Sequence, residues 1–510
     1  MASDRVHKSI LNAEVNLIFY FLSLFLAFFS RKVFLDNLGA DFIGLSGTLG
    51  NILGYLNLAE LGIGSCISYF LYKPLQCNNH DEIQEIMSVF GYLYRCIGLI
   101  ILGGGVLISL LFPWIFGNTN LGLGIVYFAF FSFLCTSLIG YFINYRQLLL
   151  MADQKNYVVA VYFQSANILK TALQIILALT YQNLYLWVFI ELLFGIIGCI
   201  ILNWKINKEY PWLKTNKSKG RRLLSKYPDI KIKTKQIFIH KIKDFVMRQS
   251  DELFIFAFVS LKMVAFYGNY IMITSKITLL FNSILDSVSA GVGNLVAEGD
   301  KKRMLDVFWE LMTIRHFVAG LLCYSIFYFI EPFISLWLGN EYILDHHILI
   351  LLVIYIYIAN SRGVVDMFNH AHGLYADVWS AWVELAINVS ITIICGLYWG
   401  IVGILLGKIA SLFFIVIFWK PYYLFRNGFK LPVQGYWSGT IRYYIIFAIA
   451  FFGGSQITCL IPILPNEGYI QWGIYCLLSL TSWLLIESTL LLLFAKGSHQ
   501  CIYRIKNLRK

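Results

Sequence analysis

Several charged side chains lie inside long apolar stretches of this sequence, where charge is costly and therefore informative. The basic residues assigned to a candidate binding cavity are Arg31, Arg95, Lys170, Arg248, Lys276, Arg315 and Arg362. A charged group near the centre of a bilayer costs at least about 3 kcal/mol and usually faces a cavity. Guanidinium groups make paired, charge-assisted hydrogen bonds to phosphate oxygens. The set favours an anionic ligand that carries phosphate or diphosphate groups.

Three carboxylates in the same apolar context, Glu60, Asp251 and Asp366, are candidates for coupling to H+ or Na+. An alternative is structural, because Arg362 lies one helical turn from Asp366 and Arg248 lies within a turn of Asp251, so each pair can form inside one helix. The side chains of Arg95 and Arg315 can also extend from helix ends to the headgroup region. The residues alone leave these alternatives open.

The motifs of soluble enzymes and metal sites are absent from the sequence. The ten cysteines are scattered, without Cys/Cys or Cys/His spacing for a metal. The sequence also contains no GxxxxGK[ST] phosphate loop, no HExxH and no GxSxG. We therefore expect no metal, no organic cofactor and no enzymatic activity.

The composition indicates that most of the chain lies in a lipid bilayer. Of the 510 residues, 59% are hydrophobic and 13% are charged, against roughly a quarter charged in soluble domains. A helix needs roughly 20 apolar residues to cross a bilayer, and such windows recur along the chain. They predict an all-α integral membrane protein with about fourteen transmembrane helices. The predicted windows are 10–30, 42–70, 90–115, 122–149, 157–180, 184–204, 241–260, 264–292, 308–336, 346–374, 378–398, 400–424, 437–461 and 470–495.

A basic loop interrupts the apolar windows and predicts the orientation. Residues 205–243 contain thirteen Lys or Arg against Glu209 and Asp229. The positive-inside rule puts this loop and, by counting helices, both termini in the cytoplasm. We interpret the loop as a topology determinant and flexible linker, with a surface for anionic lipid headgroups or a cytoplasmic partner as the alternative. The basic balance does not indicate nucleic acid binding.

Two stretches of the chain resemble each other at an offset of roughly 220 to 230 residues. LGADFIGLSG (38–47) and LAELGIGSCISYFLYKPL (58–75) are echoed by LKMVAFYGNY (261–270) and AGVGNLVAEGD (290–300). Six helices in each copy make the repeat parallel, with two lobes of the kind used for alternating access. We predict an N-lobe (1–204), the basic loop (205–240), a C-lobe (241–430) and two extra helices with a basic tail (431–510).

These segments, together with RQSDELFIFAFVSL (248–261), resemble the polysaccharide transporter family. Within it, the chain is similar to the Wzx-type flippases of bacterial surface-glycan assembly, in the multidrug/oligosaccharidyl-lipid/polysaccharide exporter (MOP) superfamily. The resemblance implies two six-helix lobes plus two helices in the bacterial inner membrane. It also implies movement of undecaprenyl-diphosphate-linked oligosaccharide units from the cytoplasmic to the periplasmic leaflet, with a cationic cleft.

The resemblance defines the expected partners and the competing functions. Expected partners are the lipid-linked oligosaccharide, membrane lipids, and a glycan polymerase with its chain-length machinery. The alternatives are a lipid II or multidrug exporter of the same superfamily and, with less support, a membrane glycan polymerase. A cationic drug would require an anionic cavity, and a polymerase would be expected to have a long periplasmic loop. Neither feature is predicted here.

Overall fold

The computed structural model describes residues 2–60, 63–117, 119–153, 155–227, 250–286, 288–374 and 377–498. Every regular element in these ranges is helical. The chain divides into two compact units, the first comprising Met1–Phe256 and Ser260–Ala265 and the second comprising Ala257–Val259 and Phe266–Lys510. Arg248 lies outside the described residues.

The first unit is built from long helices joined by short turns. Its helices are α1 (Ala2–Leu38), α2 (Ala40–Leu56), α3 (Ile63–Gln76), α4 (His80–Ser109), α5 (Phe112–Ile115), α6 (Leu123–Phe142), α7 (Gln147–Ala152), α8 (Asn156–Tyr181), α9 (Leu184–Glu209), α10 (Lys217–Leu224) and most of α11 (250–258). Polar side chains define where several of these helices begin. Asn79 and Asn183, for example, accept backbone N–H groups from the first turns of α4 and α9.

The second unit contains the remaining helices, the first of which begins in the first unit with residues 261–265. They are α12 (Leu261–Asp286), α13 (Ser289–Glu298), α14 (Lys301–Trp337), α15 (His346–Ser361), α16 (Gly363–Ala371), α17 (Val378–Trp399), α18 (Ile401–Ser411), α19 (Lys420–Tyr423), α20 (Gln434–Cys459) and α21 (Tyr469–Phe494). Asp300 and Asp345 cap α14 and α15 by accepting N–H groups from their first turns. Wider π-helical turns, Leu412–Trp419 and Leu424–Phe429, continue the path of α18 to residue 429.

Eleven helical stretches among the described residues are long and apolar enough to cross a membrane. They are Ile18–Leu38, His80–Ser109, Leu123–Phe142, Leu184–Glu209, Leu261–Asn282, Lys301–Trp337, His346–Ala371, Trp379–Trp399, Ile401–Phe429, Gln434–Cys459 and Tyr469–Phe494. The prediction of an all-helical, multi-pass membrane protein is confirmed. Two further predicted windows coincide with α2–α3 and α8, and the described part of α11 falls within a third. The total of about fourteen therefore stays a prediction.

Both units repeat one packing order. In the first unit α4 packs on α6, α6 on α9 and α9 on α8. In the second unit α14 packs on α15, α15 on α18 and α18 on α17. Numbered along the repeat, these contacts join the third helix to the fourth, the fourth to the sixth and the sixth to the fifth. The same order in two stretches of sequence supports the predicted internal repeat, whereas its parallel sense and the lobe boundaries remain predictions.

The second predicted window, 42–70, is not one continuous helix. It is divided into α2 and α3 by a 3-10 turn, Asn57–Glu60. The fourth window is divided in the same manner, because the 3-10 turn Asn144–Arg146 separates α6 from α7. In the second unit, Arg362 separates α15 from α16. Helix breaks inside a membrane open backbone and side-chain polar groups to a protein-lined interior.

Candidate functional site

Glu60 lies at the break between α2 and α3 and is held by hydroxyl groups from two other helices. The Tyr94 hydroxyl of α4 donates to Oε1, and the Tyr141 hydroxyl of α6 donates to Oε2 at 2.7 Å. Within the described part of the chain, Glu60 forms no ion pair. A half-buried carboxylate whose partners are neutral hydroxyls can take up a proton or a monovalent cation without first releasing a resident basic side chain.

Asn57, one helical turn before Glu60, extends this hydrogen-bond network. Its Oδ1 lies 3.0 Å from the Tyr141 hydroxyl and accepts from Ser137 Oγ at 3.2 Å. A cavity of about 430 Å³ adjoins the network. It is lined by Glu60, Gly64, Ser68, Phe90, Tyr94, Ser137, Gly140, Tyr141, Tyr145, Gln147, Leu148 and Met151. The cavity is large enough for several water molecules to reach the carboxylate.

In the second unit, Arg315 of α14 is the centre of a buried polar group. Arg315 is only 5% exposed, and its Nη1 donates to Asn282 Oδ1 of α12 at 2.7 Å. Asn282 Nδ2 in turn donates to Asn360 Oδ1 of α15 at 3.2 Å. A Cβ added to Gly363 would lie 2.6 Å from Arg315 Cζ, so the guanidinium packs directly on the glycine backbone where α16 begins. Gly363 permits this approach because it has no side chain.

Arg362 stands beside this contact, between α15 and α16. Its Nε lies 3.0 Å from Asp366 Oδ2, and its Nη1 lies 3.9 Å from Glu384 Oε1 of α17. The ion pair with Asp366 that the spacing allowed is therefore present. The side chains of Arg362 and Asp366 are about one-third exposed, whereas that of Glu384 is buried. Arg315 and Arg362 thus converge on one helix junction, one buried and one accessible.

The acidic pair Asp251 and Glu252 of α11 packs against α2 within the first unit. Asn51 Nδ2 donates to Glu252 Oε2 at 2.6 Å, and Gly47 leaves the space that the Glu252 carboxylate occupies. Asp251 is 6% exposed. Asn51 and Gly47 therefore hold the Glu252 carboxylate against α2.

The other predicted cations lie on different helices. Lys170 of α8 is paired with Glu191 of α9 at 2.6 Å, and Gln174 Nε2 also donates to Glu191. Arg31 Nη2 donates to the Ala265 carbonyl at 2.9 Å. Arg95 is exposed on α4, and Lys276 is half-buried on α12. Of the predicted cations in the described residues, Arg315 and Arg362 meet at one place, the backbone at Gly363.

Several polar residues at these sites were missed by the sequence reasoning. They are Asn51, Asn57, Tyr94, Ser137, Tyr141, Asn282 and Asn360, to which Gln174 is added beside Lys170. Neutral polar side chains barely lower the hydropathy of an apolar window, so they do not stand out as charges do. The repeat offered one signal for Tyr94. It aligns Arg95, the residue after Tyr94, with Arg315, and so points to the third helix of each copy as a source of site residues.

Comparison with known proteins agrees with the architecture. No family model matches the chain. The "Putative O-antigen export protein" of Yersinia pseudotuberculosis is 23% identical over 425 residues, which cover 79% of this chain and 92% of that protein. A structure of the lipid II flippase MurJ, in an inward closed conformation, aligns with a TM-score of 0.66 at 15% identity and covers 95% of this chain and 99% of that one.

A second solved structure extends the comparison. An inward-facing multidrug resistance transporter of the MATE family, in the MOP superfamily, aligns with a TM-score of 0.56 at 13% identity and covers 78% of this chain and 93% of that one. The chain is thus a distant sequence relative of an O-antigen export protein and has the fold of MurJ and of a MATE transporter. The predicted resemblance to the MOP superfamily is confirmed.

Proposed function

We propose that this protein is a flippase that moves undecaprenyl-diphosphate-linked oligosaccharide repeat units from the cytoplasmic to the periplasmic leaflet by alternating access. The product would feed assembly of a surface polysaccharide, with the protein in the bacterial inner membrane and both termini in the cytoplasm. Its partners would be the lipid-linked oligosaccharide, membrane lipids, and a glycan polymerase with chain-length machinery. The name of the Yersinia relative, an export protein for O-antigen, supports this substrate class.

The observation that carries the proposal is the convergence of Arg315 and Arg362 at the junction of α15 and α16. Arg315 is fixed by Asn282 and by the Gly363 backbone. Arg362 is about one-third exposed, so its guanidinium remains accessible beside Asp366. A fixed cation next to an accessible one suits a diphosphate, which carries negative charge on two neighbouring phosphorus centres. In this proposal Arg362 contacts the diphosphate, and Arg315 positions the junction and adds positive potential.

Glu60 is the coupling group that we favour among the three predicted carboxylates. Asp366 is already paired with Arg362, and Asp251 has Glu252 as its direct neighbour. Glu60 has neutral donors and an adjoining cavity of about 430 Å³. Uptake of H+ or Na+ at Glu60 would rearrange the Tyr94 and Tyr141 hydroxyls, which come from the third and fourth helices of the repeat. This gives an ion a direct means to move helices against one another.

The first experiment depletes the protein in its host and measures which leaflet contains labelled undecaprenyl-diphosphate oligosaccharide. We expect the labelled lipid to accumulate on the cytoplasmic side and to become accessible from the periplasm when the wild-type chain is restored. Restoration with Arg362→Gln should fail at normal membrane levels of the protein. Normal crossing of the lipid combined with short glycan chains would instead assign the protein to polymerisation, and our proposal would be wrong.

Lipid II is the second candidate cargo, because the MurJ alignment covers 95% of this chain. Lipid II shares the polyprenyl diphosphate, so the arginine pair does not distinguish the two cargoes. The depletion experiment does, since each lipid can be labelled separately. Accumulation of lipid II alone, with normal export of the surface glycan, would favour this second function.

A further inference from the structure

The first part of the basic loop is folded onto the first unit, which corrects the prediction of a flexible linker for residues 210–227. Trp212 stacks on His80 with ring centroids 3.9 Å apart. The Asn216 N–H donates to Ser88 Oγ at 3.0 Å, and the Thr215 hydroxyl lies 2.7 Å from that of Tyr145. These contacts attach the segment to α4 and to the turn that precedes α7.

Helix α10 itself is docked through its glycine. A Cβ at Gly220 would lie 2.5 Å from both the Ser88 carbonyl oxygen and Tyr92 Cβ, so α10 and α4 touch backbone to backbone. The end of the segment is attached by Glu85, whose carboxylate accepts from Lys226 Nζ at 2.6 Å and from the Tyr227 hydroxyl at 2.7 Å. Burial and the Glu85 carboxylate together raise the pKa of Tyr227, so its hydroxyl stays protonated and continues to donate.

The contacts also give the depth of α10 along the membrane helix. Ser88 and Tyr92 lie eight and twelve residues after the start of α4 at His80, which corresponds to about 12 to 18 Å along its axis. Helix α10 therefore lies beside α4 and not beyond its end. In the last turns of α9, which precedes the segment in the chain, Trp204 is 58% exposed and the Lys208 ammonium lies 5.6 Å from its ring centroid. An exposed Trp beneath a Lys is typical of the headgroup region of a bilayer.

Basic side chains point away from the docked face of α10. Lys219, Arg221 and Arg222 are exposed, and among the described residues none of the three forms an ion pair. Lys226 is occupied by Glu85. Because the backbone of α10 is packed on α4 at Gly220, the three charges are held together on one short helix.

We propose that Lys219, Arg221 and Arg222 form a docking surface for anionic phospholipid headgroups, independent of the cargo site. Charge complementarity and depth support this occupant, since phosphate groups are the negative charges at headgroup level. Anionic lipid on the outer face of α10 would hold the 210–227 segment against α4. The surface lies on the leaflet that the positive-inside rule identifies as cytoplasmic, where anionic lipids attract basic residues.

The test uses the full-length protein in detergent and native mass spectrometry with added phosphatidylglycerol. The triple variant K219Q/R221Q/R222Q is compared with K301Q/K302Q/R303Q, which removes the same number of exposed charges at the start of α14. We expect the first triple to weaken phosphatidylglycerol binding about a hundredfold at low salt, at roughly fivefold per charge. The second triple should change binding less than threefold. Phosphatidylcholine serves as the neutral lipid.

Each outcome decides the proposal. Equal losses of phosphatidylglycerol binding in the two triple variants would mean that only net charge matters, and would overturn the proposal. Unchanged binding in the first triple variant would also overturn it. Farnesyl diphosphate is the probe for a polyprenyl diphosphate headgroup. If the first triple loses farnesyl diphosphate and keeps phosphatidylglycerol, the surface serves the cargo and our assignment is wrong. Both triples replace exposed side chains, so an unchanged melting temperature confirms that the folded state is intact.

Discussion

The second, third and fourth helices of each repeat contribute a polar site, and the two sites have opposite charge. In the first unit these helices contribute Glu60, Tyr94 and Tyr141. In the second unit the corresponding helices α12, α14 and α15 contribute Asn282, Arg315 and Asn360. A carboxylate surrounded by hydroxyls thus occupies one copy, and a guanidinium joined to carboxamides occupies the other.

We propose that the two copies of the repeat perform different tasks. Hydroxyl and amide groups can each serve as donor or acceptor. The polar groups of either copy could therefore form hydrogen bonds to a carboxylate or to a guanidinium. The charge itself decides the ligand, which would be a proton or Na+ at Glu60 and a phosphate group near Arg315 and Arg362. The position of each site is therefore a property of the repeat, whereas its chemistry depends on one side chain in each copy.

Arg315→Gln should have the largest effect. The substitution removes a buried cation and the donor to Asn282 Oδ1, at a cost of about 2 to 4 kcal/mol in the free energy of unfolding. We expect transport of the labelled lipid to fall more than about a hundredfold. Arg95→Gln, at the corresponding position of the first copy, should cost less because Arg95 is exposed. The measurement is the leaflet assay, normalised to folded protein by size-exclusion chromatography.

Arg303→Gln is the neutral control for this pair, since Arg303 is an exposed residue that pairs with Glu298 outside the two sites. It should leave transport and melting temperature unchanged. Equal losses at positions 315 and 95 would contradict the assignment of the two copies to different tasks, because the comparison requires the guanidinium to matter in only one of them.

Glu60→Gln should have the next largest effect, with a different signature. Glutamine keeps the volume and accepts from one tyrosine hydroxyl, so the fold should survive. It cannot take up H+ or Na+ as a carboxylate does, and we expect transport to fall about tenfold to a hundredfold. In proteoliposomes, the dependence of the remaining transport on an imposed H+ or Na+ gradient should disappear. Persistence of that dependence in Glu60→Gln would transfer the coupling role to Asp251 or Asp366.

The membrane helices could be predicted from the sequence because a run of about 20 apolar residues indicates a membrane span however the helices pack. The sequence also located the repeat because Gly and acidic positions recur at a nearly constant offset. It did not indicate the break at Asn57–Glu60, which lies inside the continuous apolar window 42–70. A helix break in a membrane depends on partners for the opened polar groups, and the partners Tyr94 and Tyr141 come from windows far along the chain.

The candidate cations illustrate the same limit. The sequence marked Lys170 and Arg315 alike, since each is a charge in an apolar window. In the structure Lys170 is neutralised by Glu191 on the adjacent helix, and Arg315 is bound to the neutral Asn282. Which partner each charge finds is decided by the neighbouring helix. The identity of that partner depends on how the helices pack, so it cannot be read from the residues around the charge alone.

Gly363→Ala tests the contact that places Arg315 at the helix junction. A Cβ would lie 2.6 Å from Arg315 Cζ, so the guanidinium must move. We expect about a tenfold loss of transport and a loss of about 1 to 3 kcal/mol in stability. Gly140→Ala is the matched change next to the fourth-helix break of the first copy, where a Cβ meets nothing within 4 Å. Its stability should not decrease, and a decrease equal to that of Gly363→Ala would mean that helix breaks in general tolerate no side chain.

Ser137→Ala should have the smallest effect and defines how far the Glu60 site extends. The substitution removes the hydroxyl that donates to Asn57 Oδ1 at 3.2 Å, while Tyr141 remains 3.0 Å from the same atom. We expect transport to fall only about twofold to fivefold, because one neutral hydrogen bond contributes roughly 0.5 to 1 kcal/mol. The exposed Ser438→Ala is the control, assayed at the same membrane level. A loss of transport as large as that of Glu60→Gln would instead indicate that Asn57 itself binds the coupling ion, because the orientation of its side chain would then matter as much as the carboxylate.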